Sequence, residues 1–181
     1  MIEGKTSARV TVMEVSPRDG LQNEDLVFSP DQKLKLIKAA ISAGLERIEV
    51  VSFVNPKKVP QMANAETVCA GLTDIHEAKL TGLVLNERGY QRLRDTCLHE
   101  AGIVIASTDT FGIRNQGMDL MRGLDFAKSV LRDGQQTRFP VQVTFAVAFG
   151  CPFENSVPEA RILRMVEELV EFQPCLLYTS P

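Results

Sequence analysis

The chain has 181 residues, of which 44% are hydrophobic and 24% charged. That balance excludes disorder as the main state, and 20 basic against 23 acidic residues leave no electrostatic footprint for nucleic acid. No apolar run approaches the ~20 residues of a membrane span and a charged-then-apolar leader is missing, so composition points to a soluble intracellular domain with its own core.

The first strand candidate is the β-branched run Val10 to Val15. A polar loop follows, then Ser29-Pro30-Asp31-Gln32 predicts a helix start. Ser29 is placed to cap, Pro30 suits the first turn and Gln32 completes a capping box. Leu34, Ile37 and Ile41 fall on one face of that helix, and Gly44 is its stop. Arg47 to Val51 reads as the second strand and Gln61 to Ala70 as a short helix.

The alternation continues with a strand over Lys79 to Leu85 and a helix over Glu87 to Cys97. A strand at Ile103 to Ala106 and a helix from about Met118 to Leu131 come next. Val141 to Phe149 is the fifth strand candidate, and a helix starting near Pro158 turns Ile162, Met165, Val166 and Leu169 inward. Five strand–helix units in series predict a parallel sheet with right-handed crossovers. No Gly-x-Gly-x-x-Gly follows the first strand, which weighs against a dinucleotide-binding fold. The four cysteines, Cys69, Cys97, Cys151 and Cys175, show neither zinc-ligand spacing nor a secretory context and read as buried free thiols.

Parallel strands place functional loops at their carboxyl ends, so chemistry is sought after each strand. Arg18 and Asp19 stand at the mouth of the first. Such a carboxylate can hold a hard divalent cation, and the guanidinium can grip a carboxylate or enolate oxygen. The plainer account of the same pair is a loop salt bridge beside an Asp-Gly turn. Glu49 lies near the end of the second strand. Facing inward it needs a partner, for which Arg18 is the natural candidate; facing outward it would pair with a helix lysine. Lys57 and Lys58 beside the next mouth loop are either solvated or placed to meet phosphates.

The string Glu14-Val-Ser-Pro-Arg-Asp-Gly-Leu-Gln-Asn-Glu24 resembles the signature after the first strand of the 3-hydroxy-3-methylglutaryl-CoA lyases. Ile48 to Lys57, Val59-Pro-Gln-Met62 and Phe149-Gly-Cys-Pro-Phe-Glu154 resemble further segments of that family in order, and the match runs from about Arg9 to Gln173. The resemblance implies an α/β fold of the TIM (β/α)8 barrel type, with about the first five βα units present. Residues 1–174 would be a partial lyase domain, and 175–181 an atypical, non-native tail that departs from the family's sixth strand. It implies a divalent metal, Mg2+ or Mn2+, and cleavage of 3-hydroxy-3-methylglutaryl-CoA to acetoacetate and acetyl-CoA, a step of leucine degradation and ketone-body metabolism. By the same match Asp19 is a metal ligand, Arg18 stabilises the acetyl-CoA enolate, Glu49 supports Arg18, and Gln22 and Ser52 lie near the substrate. The partner implied is an acyl-CoA substrate, with no nucleic acid, no membrane and a homo-oligomer for the full-length protein. A first strand candidate near residue 10 leaves no room for a transit peptide, so the cytoplasm is the expected compartment.

The match also has gaps. The family's His-x-His metal ligands, a later asparagine and a catalytic cysteine on a glycine-rich loop have no counterparts. His76 and His99 stand in the wrong context, and Cys151, though its Gly-Cys-Pro setting is similar to that of the catalytic loop, matches a different family cysteine, one that is structural or supports the site from behind. A TIM barrel needs ~250 residues, about three βα units more than this chain has. The alternatives are a lyase for another 3-hydroxyacyl-CoA, a related DRE-type condensing enzyme, or a catalytically inert fragment that associates with complementary barrel pieces.

Overall fold

The computed structural model describes residues 10–180. Its elements, in chain order, are α1 (Pro30–Ser42), β1 (Arg47–Ser52), α2 (Ala65–Ala70), β2 (Lys79–Val84) and α3 (Glu87–Arg94). They continue with β3 (Glu100–Ala106), α4 (Asp109–Gln116), α5 (Leu120–Thr137), β4 (Val141–Ala146), α6 (Glu159–Val170) and β5 (Leu176–Thr179). A π-helical turn covers Ser16–Gly20, and a 3-10 turn covers Pro60–Met62.

Local chemistry accounts for the boundaries. At α1 the Ser29 side chain accepts from the Gln32 amide while Gln32 accepts from the Ser29 amide, the reciprocal box expected from the sequence. The chain then leaves the helix through Gly44 at φ +88°, a left-handed conformation that costs glycine nothing. Asn86 and Asp119 cap α3 and α5 through the amides of Gly89 and Arg122.

All five strands are parallel, in the spatial order β1-β2-β3-β4-β5. Such a sheet grows in one direction without the reversal of a doubly wound fold, as the arc of a (β/α)8 barrel does. The face toward the helices is apolar: Ile48, Leu80, Ile103, Ile105, Val143 and Phe145 are all fully buried. The opposite face carries the register-matched row Glu49, Thr81 and Glu100, with Gly102 beside Gln142. These polar side chains are buried too. The two faces alternate with the two-residue period of a strand.

Three differences from the sequence expectations have physical causes. Val10 to Val15 is no full strand; only Glu14 pairs, with Ile48, and Val10 and Val12 stay exposed with no second neighbour to bury them. Leu176–Thr179, within the stretch set apart as 175–181, pairs with Gln142–Phe145 and extends the sheet, because its apolar and aromatic run suits a half-buried pleated surface. The helix α4 has no amphipathic signature, since Gly112 sits in its middle. A Cβ there would lie 2.5 Å from the Met118 carbonyl oxygen, so glycine lets the chain fold back against the helix. No helix among the described residues is long and apolar enough to cross a membrane.

Candidate active site

The π-helical turn Ser16–Gly20 lifts Arg18 and Asp19 to the carboxyl end of the sheet, anchored below by the Glu14–Ile48 bridge. Arg18 Nε donates to Glu49 Oε1, and Arg18 Nη1 donates to Asp19 Oδ1 at 2.7 Å. Glu49 is 3% exposed whereas the Asp19 side chain is 51% exposed, so the trio runs from the barrel interior to the open mouth. Burial pushes the Glu49 carboxyl above its ordinary range, and the Arg18 guanidinium pulls it back only in part.

Glu49 therefore faces inward, as the pairing argument expects. The carboxylate fits because residue 102 is glycine: a Cβ there would come within 3.3 Å of Glu49 Oε2. The plainer account of Arg18 and Asp19 is right about their ion pair, but the chain turns there by π-helical geometry, and Gly20 has no positive φ.

Gln22 Oε1 and Ser52 Oγ are buried without a hydrogen-bond partner, as are Ser107 Oγ and Gln142 Oε1. Ser52 ends β1 and Ser107 follows β3, at the mouth where a ligand or water can complete them, whereas Gln142 lies at the amino end of β4. No hydrogen bond joins the Gln22 Oε1 or Ser52 Oγ atom to Arg18 among the described residues. Lys57 lines a cleft of about 670 Å³ with Arg88 and Arg92 at the ends of β1 and β2; Lys58 does not line it.

The family model described as HMGL-like matches residues 9–180. The chain belongs to the HMGL-like family. The hydroxymethylglutaryl-CoA lyase of Bacillus subtilis is 32% identical over 164 residues, 91% of this chain and 55% of that protein. The (R)-citramalyl-CoA lyase of Chloroflexus aurantiacus is 35% identical over 176 residues, 90% of this chain and 54% of that protein. In three dimensions the crystal structure of the Bacillus subtilis HMG-CoA lyase superposes with a TM-score of 0.89 at 32% identity, covering 94% of this chain and 57% of that one. An Acinetobacter baumannii HMG-CoA lyase, solved with coenzyme A and 3-methylmalate, gives 0.86 at 30% identity, covering 92% of this chain and 54% of its own. The HMGL-like chain thus spans about half the length of the relatives it matches, and its sheet follows the N-terminal part of their TIM barrels.

The family is generally dependent on a divalent metal, and here the donor set is partial. Asp19 offers one carboxylate at the mouth, and no group of three or more His, Cys, Asp or Glu side chains gathers among the described residues. One exposed carboxylate, with Oδ1 already engaged by Arg18, does not make a site for an octahedral ion, so the described residues do not fit the metal on their own. His76 and His99 lie at the opposite, amino end of the sheet, where His99 Nδ1 accepts from the Leu80 amide at 3.0 Å.

Cys151 is buried beneath the mouth loop after β4, where it accepts from Thr108 Oγ1 at 3.1 Å. Burial raises its thiol, but hydrogen bonds from Thr108 and the Phe153 and Glu154 amides bring it below the ordinary range. Glu154 accepts from the Thr110 amide at 2.9 Å and pairs with Arg161 at 3.6 Å, tying the loop after β4 to the first turns of α4 and α6. Sequence reasoning passes over Glu154's role, although Glu154 ends a quoted motif, because the residue it grips is 44 positions away. At the amino end a second buried ion pair, Arg47 with Glu100 at 2.8 Å, is equally unannounced.

Proposed function

We propose that this chain supplies the anion-stabilising half of a carbon–carbon lyase site acting on a 3-hydroxyacyl-CoA, with 3-hydroxy-3-methylglutaryl-CoA as the leading substrate. In that cleavage a general base outside the described residues takes the 3-hydroxyl proton, the oxygen's electron pair forms the ketone as the C2–C3 bond breaks, and the broken bond's pair moves onto the thioester as an enolate that a general acid then protonates at C2 to give acetyl-CoA. Arg18, fixed at the mouth by buried Glu49, is the group that meets the enolate oxygen; negative charge develops there only in the transition state, so a preorganised cation lowers the barrier. Asp19 would hold a divalent cation, Mg2+ or Mn2+, that the described residues do not complete. The observation that carries the reading is the Glu49–Arg18–Asp19 trio at the carboxyl end of a barrel-like sheet. Lys57 beside the mouth is the residue of this chain proposed to face the CoA phosphates.

The test is a hybrid barrel in which residues 9–180 replace the matching segment of the Bacillus subtilis lyase. Acetyl-CoA release from 3-hydroxy-3-methylglutaryl-CoA is expected, and Arg18→Gln should lower kcat by about 100- to 1000-fold, the cost of removing one oxyanion donor. The isolated chain with Mn2+ should release none. A folded hybrid inactive toward every 3-hydroxyacyl-CoA tried would overturn the reading. Faster release from citramalyl-CoA would move the substrate within the class.

A further inference from the structure

Lys33 lies in the first turn of α1 and is 3% exposed, yet it forms no ion pair with a carboxylate among the described residues. Its ammonium donates to two main-chain oxygens, those of Gln61 and of Ala63, the latter at 3.3 Å. Burial pushes its pKa down. A buried cation held by carbonyls alone lacks the ion pair that would repay its desolvation, so the charge adds little net stability there. Stability therefore does not account for the charge.

Position does. Both acceptors belong to the mouth loop between β1 and α2, at the 3-10 turn Pro60–Met62. The same Gln61 donates through Nε2 to the Glu24 carbonyl at 2.9 Å, and neighbouring Asn23 donates through Nδ2 to the Asp19 carbonyl at 2.8 Å. A continuous line of hydrogen bonds and backbone thus leads from Lys33 through Gln61 and Glu24 to Asp19, next to Arg18.

We infer that Lys33 is a positioning residue: its ammonium locks the loop between β1 and α2 onto residues 19–24 and so fixes Arg18, Asp19 and Gln22 at the mouth. The importance of that locking rests on the proposed lyase role of Arg18, but the locking itself can be read without any turnover. Hydrogen exchange by mass spectrometry compares wild type with Lys33→Met, Lys33→Arg and Gln61→Met, with Lys128→Met at the Lys128–Glu168 pair as a control remote from the mouth. The Nε–Hε signal of Arg18 in a 15N spectrum, identified by its loss in Arg18→Lys, reports the Arg18–Glu49 contact directly.

Lys33→Met is expected to speed exchange over residues 15–24 and 59–64 by about tenfold while β3 and β4 stay protected, and to shift or broaden the Arg18 signal. Lys33→Arg, which can still donate to both carbonyls, should restore both readouts. Gln61→Met should loosen 15–24 alone, since its main-chain oxygen still holds Lys33. Unchanged exchange and an unmoved Arg18 signal in Lys33→Met would overturn the inference, as would equal loss of protection in β3 and β4. If Lys33→Met fails to fold, Gln61→Met decides: no change over 15–24 refutes the link. A hybrid barrel that is inactive while this coupling holds would indict the lyase reading alone.

Discussion

Glu49 sits where two opposing forces meet, and its titration follows from their balance. Burial raises its carboxyl above the ordinary 4.5, and Arg18 offsets only part of the rise. A group with a raised folded-state pKa binds its proton more tightly folded than unfolded. Its contribution to stability is therefore full below about 4.5 and is lost as pH rises through the raised value. Glu49→Gln cannot ionise, so the variant should gain on wild type as pH climbs across that window. Melting curves from pH 4 to pH 8 read this directly; a Tm difference that stays flat would mean the carboxyl titrates alike in both states. The pairing of Glu49 with Arg18 was legible in the sequence because an inward carboxylate near a strand's end must find a cation, and Arg18 is the one the neighbouring segment offers. Lys33 was not legible, since a lysine in a helix's first turn reads as solvated until its two carbonyl acceptors are brought in from 28 and 30 residues away.

Elements were most legible where a local rule is complete in itself. The capping box of α1 closes within four residues, so sequence alone places it, and Ser29→Ala should cost about 1 kcal/mol. The helix α4 is the contrary case: its reason is Gly112, whose missing Cβ leaves room for the Met118 carbonyl, a relation visible only once the chain has turned back. Gly112→Ala should therefore cost about 1–3 kcal/mol, from forced backbone displacement, although alanine is the better helix former in isolation. Urea unfolding of the two variants separates the cases. If Gly112→Ala is the more stable protein, helix propensity outweighs the close approach. Val10 to Val15 is the counter-example for a related reason: β-branched residues favour a strand only where neighbours bury them, and Val10 and Val12 stay 84% and 63% exposed among the described residues.

For the molecule as a whole, sequential strand order was foreseeable from the alternating pattern, but the consequence of an open sheet is a matter of surface. β5 has no strand on its outer side among the described residues, and Leu176 and Tyr178 stand on one face of it, 39% and 41% exposed. Leu163 and Val170 on the preceding helix add to this apolar margin at 53% and 57% exposure. A parallel strand is ordinarily covered on both faces and flanked on both sides, so this edge presents unpaired backbone groups beside apolar side chains, the combination that recruits another chain. The isolated chain should accordingly self-associate as its concentration rises, with a mass distribution that shifts in sedimentation velocity. Replacing both Leu176 and Tyr178 with lysine places charge along the edge without touching the Arg18 mouth, and should return the chain to monomer. A wild-type chain that stays monomeric at high concentration would show that the edge is closed by its own residues. If the double variant associates like wild type, the contact lies on another face, and the helical pair Leu163 and Val170 is the next to carry charge.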